Sequence, residues 1–212
     1  MDIALYVITD ETIAGGRLHT RIARHAVLGG ADIIQLRDKG RSCAELITVG
    51  REIAAITKQG GAVFIINDRL DVAITCGADG VHLGQDDMPV STARQLAPDG
   101  FIIGVSVGTV AEAVEAERGG ADYIALSPTF STASKDDAGP GHGLARLAAI
   151  KRAVSVPVIA IGGINRQNVR DVIAAGADGI AVISAVIASP DITAAARELK
   201  DLVQECKRNV GH

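Results

Sequence analysis

The 212-residue chain carries 21 basic against 25 acidic residues, a net charge of −4, and only 2% of its residues are aromatic, with no tryptophan. That balance excludes a nucleic-acid surface, which needs a basic face or aromatic stacking platforms. The 48% hydrophobic content and mean hydropathy of +0.27 fit one domain with a well-covered core, and no apolar run approaches the roughly 18 to 20 residues that span a bilayer.

In chain order, Ile3–Thr9 is short and apolar and reads as a first strand, followed by a helix over Arg17–Leu28 with apolar positions at Ile22, Ala23, Ala26 and Val27. A second strand is expected at Ile33–Arg37. Ser42 with Glu45 three residues on forms a capping box for a helix running to about Lys58. Strand 3 is expected at Val63–Ile66, a helix at Leu70–Thr75, strand 4 at Gly80–Leu83 and a helix at Ser91–Leu96. Strand 5 falls at Ile102–Val105, a helix at Val110–Arg118, strand 6 at Tyr123–Leu126 and a helix at Leu144–Val154. Strand 7 is Pro157–Ile161, followed by a helix at Arg166–Ala174 and strand 8 at Gly179–Ile183. A final helix covers Asp191–Cys206.

Four copies of Gly-Ala-Asp, beginning at Gly30, Gly77, Gly120 and Gly176, each sit between an alanine-rich helical stretch and one of the even-numbered strands. Glycine at a helix end before a buried strand is the αβ joint of a βα unit. Spacings of roughly 43 to 56 residues leave room for two units per interval, hence eight in all. The expected fold is a single-domain (β/α)8 TIM barrel over residues 1–212; a doubly wound open sheet is the alternative, and eight units favour closure. Parallel strands covered on both faces also explain the apolar excess. The three cysteines, Cys43, Cys76 and Cys206, lack metal-ligand or CxxC spacing and point to a reducing compartment. With no leader-like segment behind Met1, the expectation is a cytoplasmic chain without membrane or nucleic-acid partners, and its helical faces leave a homo-oligomer open.

Polar residues gather where the strands end, the face on which barrel active sites are built. Gly162-Gly163 after strand 7 would let backbone N–H groups approach an anion, and Ser184 after strand 8 leads into Ala185–Ala188, the first turn of a short helix. Together they favour a phosphate site over a mere tight turn. Asp68 and Asp87 follow adjacent strands, so their carboxylates can converge. Mg²⁺ takes one or two carboxylates plus phosphate oxygens and water, and Arg37, Lys39 and Lys135 would complete a cationic collar. Each alone reads as a solvated loop charge; five brought together by topology do not. His82, between Val81 and Leu83, reads as a hydrogen-bonded barrel-interior residue, and the other histidines carry no assignment.

The motifs resemble the thiamin-phosphate synthase (thiamine-phosphate pyrophosphorylase) family along nearly the whole chain. They are Leu5-Tyr6-Val7-Ile8-Thr9-Asp10, Gln35-Leu36-Arg37-Asp38-Lys39, Ile66-Asn67-Asp68-Arg69, Gly80 through Asp87, Gly104-Val105-Ser106, Thr132 through Asp137, Ile161-Gly162-Gly163-Ile164 and Val182-Ile183-Ser184-Ala185. The resemblance implies transfer of a hydroxymethylpyrimidine group from its diphosphate to a thiazole phosphate, giving thiamine phosphate and pyrophosphate. It implies that Gln35, Leu36, Arg37, Asp38, Lys39, Asn67, Ser106 and Lys135 contact the pyrimidine diphosphate. Asp68 and Asp87 would hold Mg²⁺, and Thr132, Ala133, Ser134, Gly163, Ile183 and Ser184 would contact the thiazole phosphate. The catalytic set is then Arg37, Lys39, Ser106 and Lys135. Ser134 stands where the family usually has threonine and keeps the hydroxyl; Ser131 stands where many members have proline.

The thiazole nitrogen has no proton to lose, so no general base is expected, and the implied reaction is a dissociative displacement in which the cationic collar meets the departing pyrophosphate. The segment Ser127–Gly143, rich in Ser, Asp, Gly and Pro, is expected to be a lid, mobile without ligand and ordered with both substrates. Two alternatives are a related thiazole tautomerase barrel and a barrel that binds the thiazole phosphate without turnover. Against the tautomerase stand Asp68, Asp87 and Lys135, and the Ser127-Pro128 pair where that family tends to place a catalytic histidine.

Overall fold

Eight parallel strands hydrogen-bond in sequence order and close on themselves in the computed structural model, which describes residues 3–132, 134 and 141–210. The strands are β1 (Leu5–Thr9), β2 (Ile33–Leu36), β3 (Val63–Asn67), β4 (Gly80–Leu83), β5 (Ile102–Val107), β6 (Tyr123–Leu126), β7 (Val158–Ile161) and β8 (Gly179–Val182). The helices are α1 (His19–Leu28), α2 (Cys43–Gly60), α3 (Leu70–Cys76), α4 (Val90–Leu96), α5 (Val110–Arg118), α6 (Gly143–Ala153), α7 (Val169–Ala174), α8 (Ser184–Ile187) and α9 (Ile192–Val210). Closure rests on β1 against β8, with Leu5 paired to Ile180 and Val7 to Val182. The (β/α)8 barrel expected from the repeat is therefore the observed fold, and the open-sheet alternative falls. Among the described residues no helix is long and apolar enough to cross a membrane.

The Gly-Ala-Asp joints show why the repeat exists. Gly30, Gly77, Gly120 and Gly176 all have positive φ, between 76° and 101°, the left-handed turn that glycine takes without a Cβ penalty. The aspartate that follows clamps the preceding odd strand at two points. Asp32 N–H donates to the Leu5 carbonyl while its carboxylate accepts the Leu5 N–H; Asp79 treats Phe64 the same way, Asp122 treats Ile103, and Asp178 treats Val158. Three of the carboxylates gain a cation as well: Lys200 on Asp32, Arg94 on Asp122 and Lys151 on Asp178. These aspartates thus satisfy strand ends at the barrel base, as joint residues rather than catalytic ones.

Several element ends differ from the sequence reading. β1 starts at Leu5 rather than Ile3, and α1 at His19 rather than Arg17, whose guanidinium instead donates to the Ser189 carbonyl at 2.6 Å. α7 starts at Val169 rather than Arg166, because Asn165 and Asn168 fold the preceding residues into a side-chain-capped turn: Asn165 N–H donates to Asn168 Oδ1 and Gln167 N–H to Asn165 Oδ1. β2 ends at Leu36, leaving Arg37 in the loop, and β8 ends at Val182. β3 and β5 run longer than expected, so Asn67 and Ser106 are strand residues, Ser106 pairing with Ala125. α9 extends to Val210. The Ser42–Glu45 capping box is present as read.

Candidate active site

Two adjoining cavities open at the C-terminal ends of the strands. One, of about 260 Å³, is walled by Arg37, Lys39, Asn67, Asp68, Asp87 and Ser106, with His82 at its base. The other, of about 240 Å³, is walled by Thr132, Ser134, Gly163, Ile183 and Ser184. Ser127 and Pro128 line both. The structure thus brings together in one cavity residues expected to hold the diphosphate and the metal, and in the other residues expected to hold the thiazole phosphate. Ala133 and Lys135, with residues 136–140 of the expected lid, lie outside the described residues.

In the first cavity, Asp68 stands at φ 64°, the left-handed conformation that Asp and Asn tolerate better than other side chains. Burial, then the Asp87 hydrogen bond and charge, push its carboxyl up to about 6, with Lys39 and Arg37 pulling the other way. Asp87 is fixed by the Gly84 N–H at 2.7 Å. Arg37 is mostly buried and faces Asp10 at 3.7 Å. The donors here are two carboxylates with an amide and a hydroxyl beside them, hard oxygen ligands of the kind Mg²⁺ accepts.

Three residues from the Gln35–Lys39 motif do not line either cavity. Leu36 is a wall residue between Thr9 and Ile66. Gln35 is buried and donates to the Tyr6 hydroxyl at 2.6 Å. The Asp38 carboxylate is taken up within its own loop by Gly40 N–H, Arg41 and His19. Burial would raise that carboxyl, but the His19 bond and the backbone N–H groups outweigh it and hold it below the usual carboxylate range. His19, 1% exposed, joins Thr9 Oγ1 at 2.8 Å to Asp38 Oδ2 at 3.1 Å. Arg41 adds Glu11 at 3.0 Å. This cluster braces the loop carrying Arg37 and Lys39. Sequence reasoning set His19 aside, and its only local signal was its place at the start of α1.

In the second cavity, Gly162 and Gly163 have a reason beyond an anion. Both have positive φ, and the 128–131 segment crosses directly over them: Thr129 N–H donates to the Ile161 carbonyl at 2.6 Å and Phe130 N–H to Gly162 at 3.1 Å. A Cβ on Gly162 would lie 2.6 Å from Pro128 Cβ, and one on Gly163 would lie 2.7 Å from the Ser131 carbonyl oxygen. Paired glycines therefore seat the β6 loop on the β7 end and so shape the second cavity. Ser134 Oγ meets Ser184 Oγ at 3.2 Å across it.

His82 is bonded within the barrel, its Nδ1 at 3.0 Å from the Tyr123 hydroxyl and its Nε2 at 2.9 Å from Ser106 Oγ, as its place inside β4 implies.

Residues 5–186 match the family described as thiamine monophosphate synthase. The chain is 61% identical over 207 residues to the thiamine-phosphate synthase of Methanoculleus marisnigri, covering 98% of both chains. It is 48% identical over 203 residues to that of Chloroflexus aurantiacus, covering 96% of this chain and 94% of the relative. A solved thiamine phosphate pyrophosphorylase from Pyrococcus furiosus superposes with a TM-score of 0.90 at 42% identity, covering 97% of each chain. With its barrel closed, its polar strand ends gathered into two cavities and these relatives matched along almost its full length, the chain belongs to the thiamine monophosphate synthase family and is an enzyme of the transferase class.

Proposed function

We propose that the chain transfers the hydroxymethylpyrimidine group from its diphosphate to the thiazole phosphate, releasing pyrophosphate and forming thiamine phosphate. The observation that carries this reading is the pair of cavities meeting at Ser127 and Pro128. One holds cations beside paired carboxylates, the other the hydroxyls of Thr132, Ser134 and Ser184 beside a glycine turn. Two anionic substrates placed there would have their reacting ends at the shared wall.

Asp68 and Asp87 would hold Mg²⁺. Bound there, the ion would neutralise charge on the diphosphate. Arg37 and Lys39 flank the same oxygens, and the Asp10 and Asp38 braces keep them in place. Lys135 would close the collar from the β6 loop. Asn67 and Ser106 would add hydrogen bonds from the strand ends. Thr132, Ala133, Ser134, Gly163, Ile183 and Ser184 would hold the thiazole phosphate.

In the displacement, the carbon–oxygen bond to the diphosphate breaks with its electron pair leaving on pyrophosphate, and the thiazole nitrogen supplies the pair for the new carbon–nitrogen bond. No proton moves at either atom. Burial raises both Tyr6 and Tyr123, so neither phenol is a base at neutral pH, which fits chemistry that needs none.

The test is turnover with both substrates and Mg²⁺, reading pyrophosphate and thiamine phosphate. Product that disappears on chelation supports the proposal. No product, or product indifferent to chelation, overturns it, and calorimetry with each ligand alone then identifies a binding protein.

A further inference from the structure

Five polar side chains from five strands form a hydrogen-bonded chain inside the barrel beneath the first cavity. Gln35 Nε2 on β2 donates to the Tyr6 hydroxyl on β1 at 2.6 Å, and the Tyr6 and Tyr123 hydroxyls are 3.0 Å apart. Tyr123 on β6 reaches His82 Nδ1 on β4 at 3.0 Å, and His82 Nε2 reaches Ser106 Oγ on β5 at 2.9 Å. β1 is not a sheet neighbour of β6, nor β6 of β4, so the Tyr6–Tyr123 and Tyr123–His82 links cross the barrel interior and the chain spans it from the β2 wall to the β5 wall. Tyr123 is the centre. It is fully buried, its ring stacks on His82 with centroids 5.6 Å apart, and it meets Tyr6 edge-on at 6.0 Å. It fits because residue 104 is glycine: a Cβ there would lie 2.0 Å from Tyr123 Cζ.

We propose that Tyr123 is a positioning residue for the transfer: its hydroxyl couples Gln35 to Ser106 through Tyr6 and His82, and the order of donors along this chain leaves the Ser106 hydroxyl donating to the pyrimidine diphosphate. The inference rests on the proposed function for the identity of that ligand, and on geometry alone for the chain.

The order follows from counting protons. Each phenol has one O–H to give, and burial keeps both protonated. Gln35 N–H fills an acceptor site on Tyr6, so the Tyr6 O–H donates to Tyr123 and the Tyr123 O–H donates to His82 Nδ1. The ring proton of neutral His82 is then on Nε2 and is given to Ser106 Oγ. The Ser106 proton is left for a ligand in the cavity. The opposite order would turn the Gln35 carbonyl toward Tyr6 and spend the Ser106 proton on His82, leaving Ser106 only an acceptor, a poor partner for a diphosphate. A buried chain of this kind is also mutually polarised, so one missing hydroxyl is felt at both ends.

Two readouts test it on the full chain. Nitrogen NMR of ¹⁵N-histidine protein, with His82 assigned by its loss in His82→Gln, should show the Nε2–H tautomer, and Tyr123→Phe should abolish that preference. A parent with Nδ1–H, or a tautomer unchanged in Tyr123→Phe, overturns the proposal. In turnover, Tyr123→Phe should lower kcat/KM for the pyrimidine diphosphate roughly tenfold to a hundredfold, the effect of leaving buried partners unpaired. The KM for the thiazole phosphate should stay within about twofold, and the loss should shrink to about threefold or less in a Ser106→Ala background, because the hydroxyl acts through that residue. An equal loss in both backgrounds shows a merely structural role and sinks it. If Tyr123→Phe does not fold, Tyr6→Phe cuts the same chain one link earlier and carries the same readouts. A chain that makes no thiamine phosphate but shows the tautomer shift keeps the relay and loses the ligand assigned to it; an active chain without the shift loses the relay.

Discussion

Asp68 and Asp87, from the ends of adjacent strands, share a hydrogen bond at the mouth of the barrel, and Asp87 makes the charge on Asp68 costlier. Asp68 carries the consequence, with its carboxyl lifted to about 6 by burial and by Asp87, against the partial relief of Lys39 and Arg37. A cation placed between them would relieve that cost, which is why the proposed Mg²⁺ site is put there.

Replacing Asp68 by Asn should therefore separate stability from function. Asn accepts the left-handed backbone at this position, φ 64°, so the turn survives. The upward shift corresponds to at most about 3 kcal/mol of strain at neutral pH, which solvent at this half-buried site screens to about 1 kcal/mol. Asp68→Asn should melt a few degrees higher than the parent in chelator, by calorimetry at neutral pH, and should lose most transferase activity. A variant that melts lower would show that the carboxylate stabilises the fold.

The same shift sets a pH window. Asp68 binds its proton more tightly folded, near 6, than unfolded, near 3.8. Its contribution to stability is thus present below about pH 4, lost as pH rises through 6, and flat above. If Asp68 holds Mg²⁺ as proposed, the ion has to displace that proton, so the Mg²⁺ concentration for half-maximal activity should climb as pH falls below 6. A Mg²⁺ titration independent of pH across that window contradicts the assignment.

Gly163→Ala tests how the thiazole pocket is shaped. Its Cβ would fall 2.7 Å from the Ser131 carbonyl oxygen and 2.9 Å from Phe130 Cβ, at a φ of +65°. The β6 loop must move away from β7. A displacement of about 1 Å at a reacting site costs roughly tenfold to a hundredfold, so kcat/KM for the thiazole phosphate should fall by that factor, with a smaller change in the KM of the pyrimidine diphosphate. Equal effects on both substrates would mean that the loop serves the two cavities alike.

Asp178→Ala tests the joints. Asp178 accepts the Val158 N–H at 2.7 Å and Lys151 Nζ at 2.6 Å, far from the cavities. Loss of that acceptor leaves a strand-end N–H unpaired and should cost roughly 1 to 3 kcal/mol in denaturant unfolding. The activity of the folded fraction should stay within about twofold of the parent.

The barrel was legible because its signals are local. A glycine that ends a helix and the aspartate that clamps the preceding strand lie within three residues, and the pattern recurs four times. The gathering of Arg37, Lys39, Asn67, Asp68, Asp87 and Ser106 was legible for a related reason: a closed parallel barrel sends every strand's C-terminal end to one face. Even so, β5 was read as ending too early. Ser106 is polar and looks like a loop residue, whereas its place in the ladder depends on Ala125 beside it.

By itself, then, the sequence determined the repeat, its closure and the face that holds the polar strand ends, because periodicity and turn chemistry act over a few residues. Only the tertiary structure decided which polar groups serve the ligands and which serve one another. Tyr6 and Tyr123 are 117 positions apart yet share a hydrogen bond, His19 at the start of α1 finds Asp38 in the loop after the neighbouring β2, and Gly104 is small because a ring from the next strand fills its space. Such contacts have no local signature: they come from strands packed across a closed interior, where each buried polar atom must find a partner and each ring must find room.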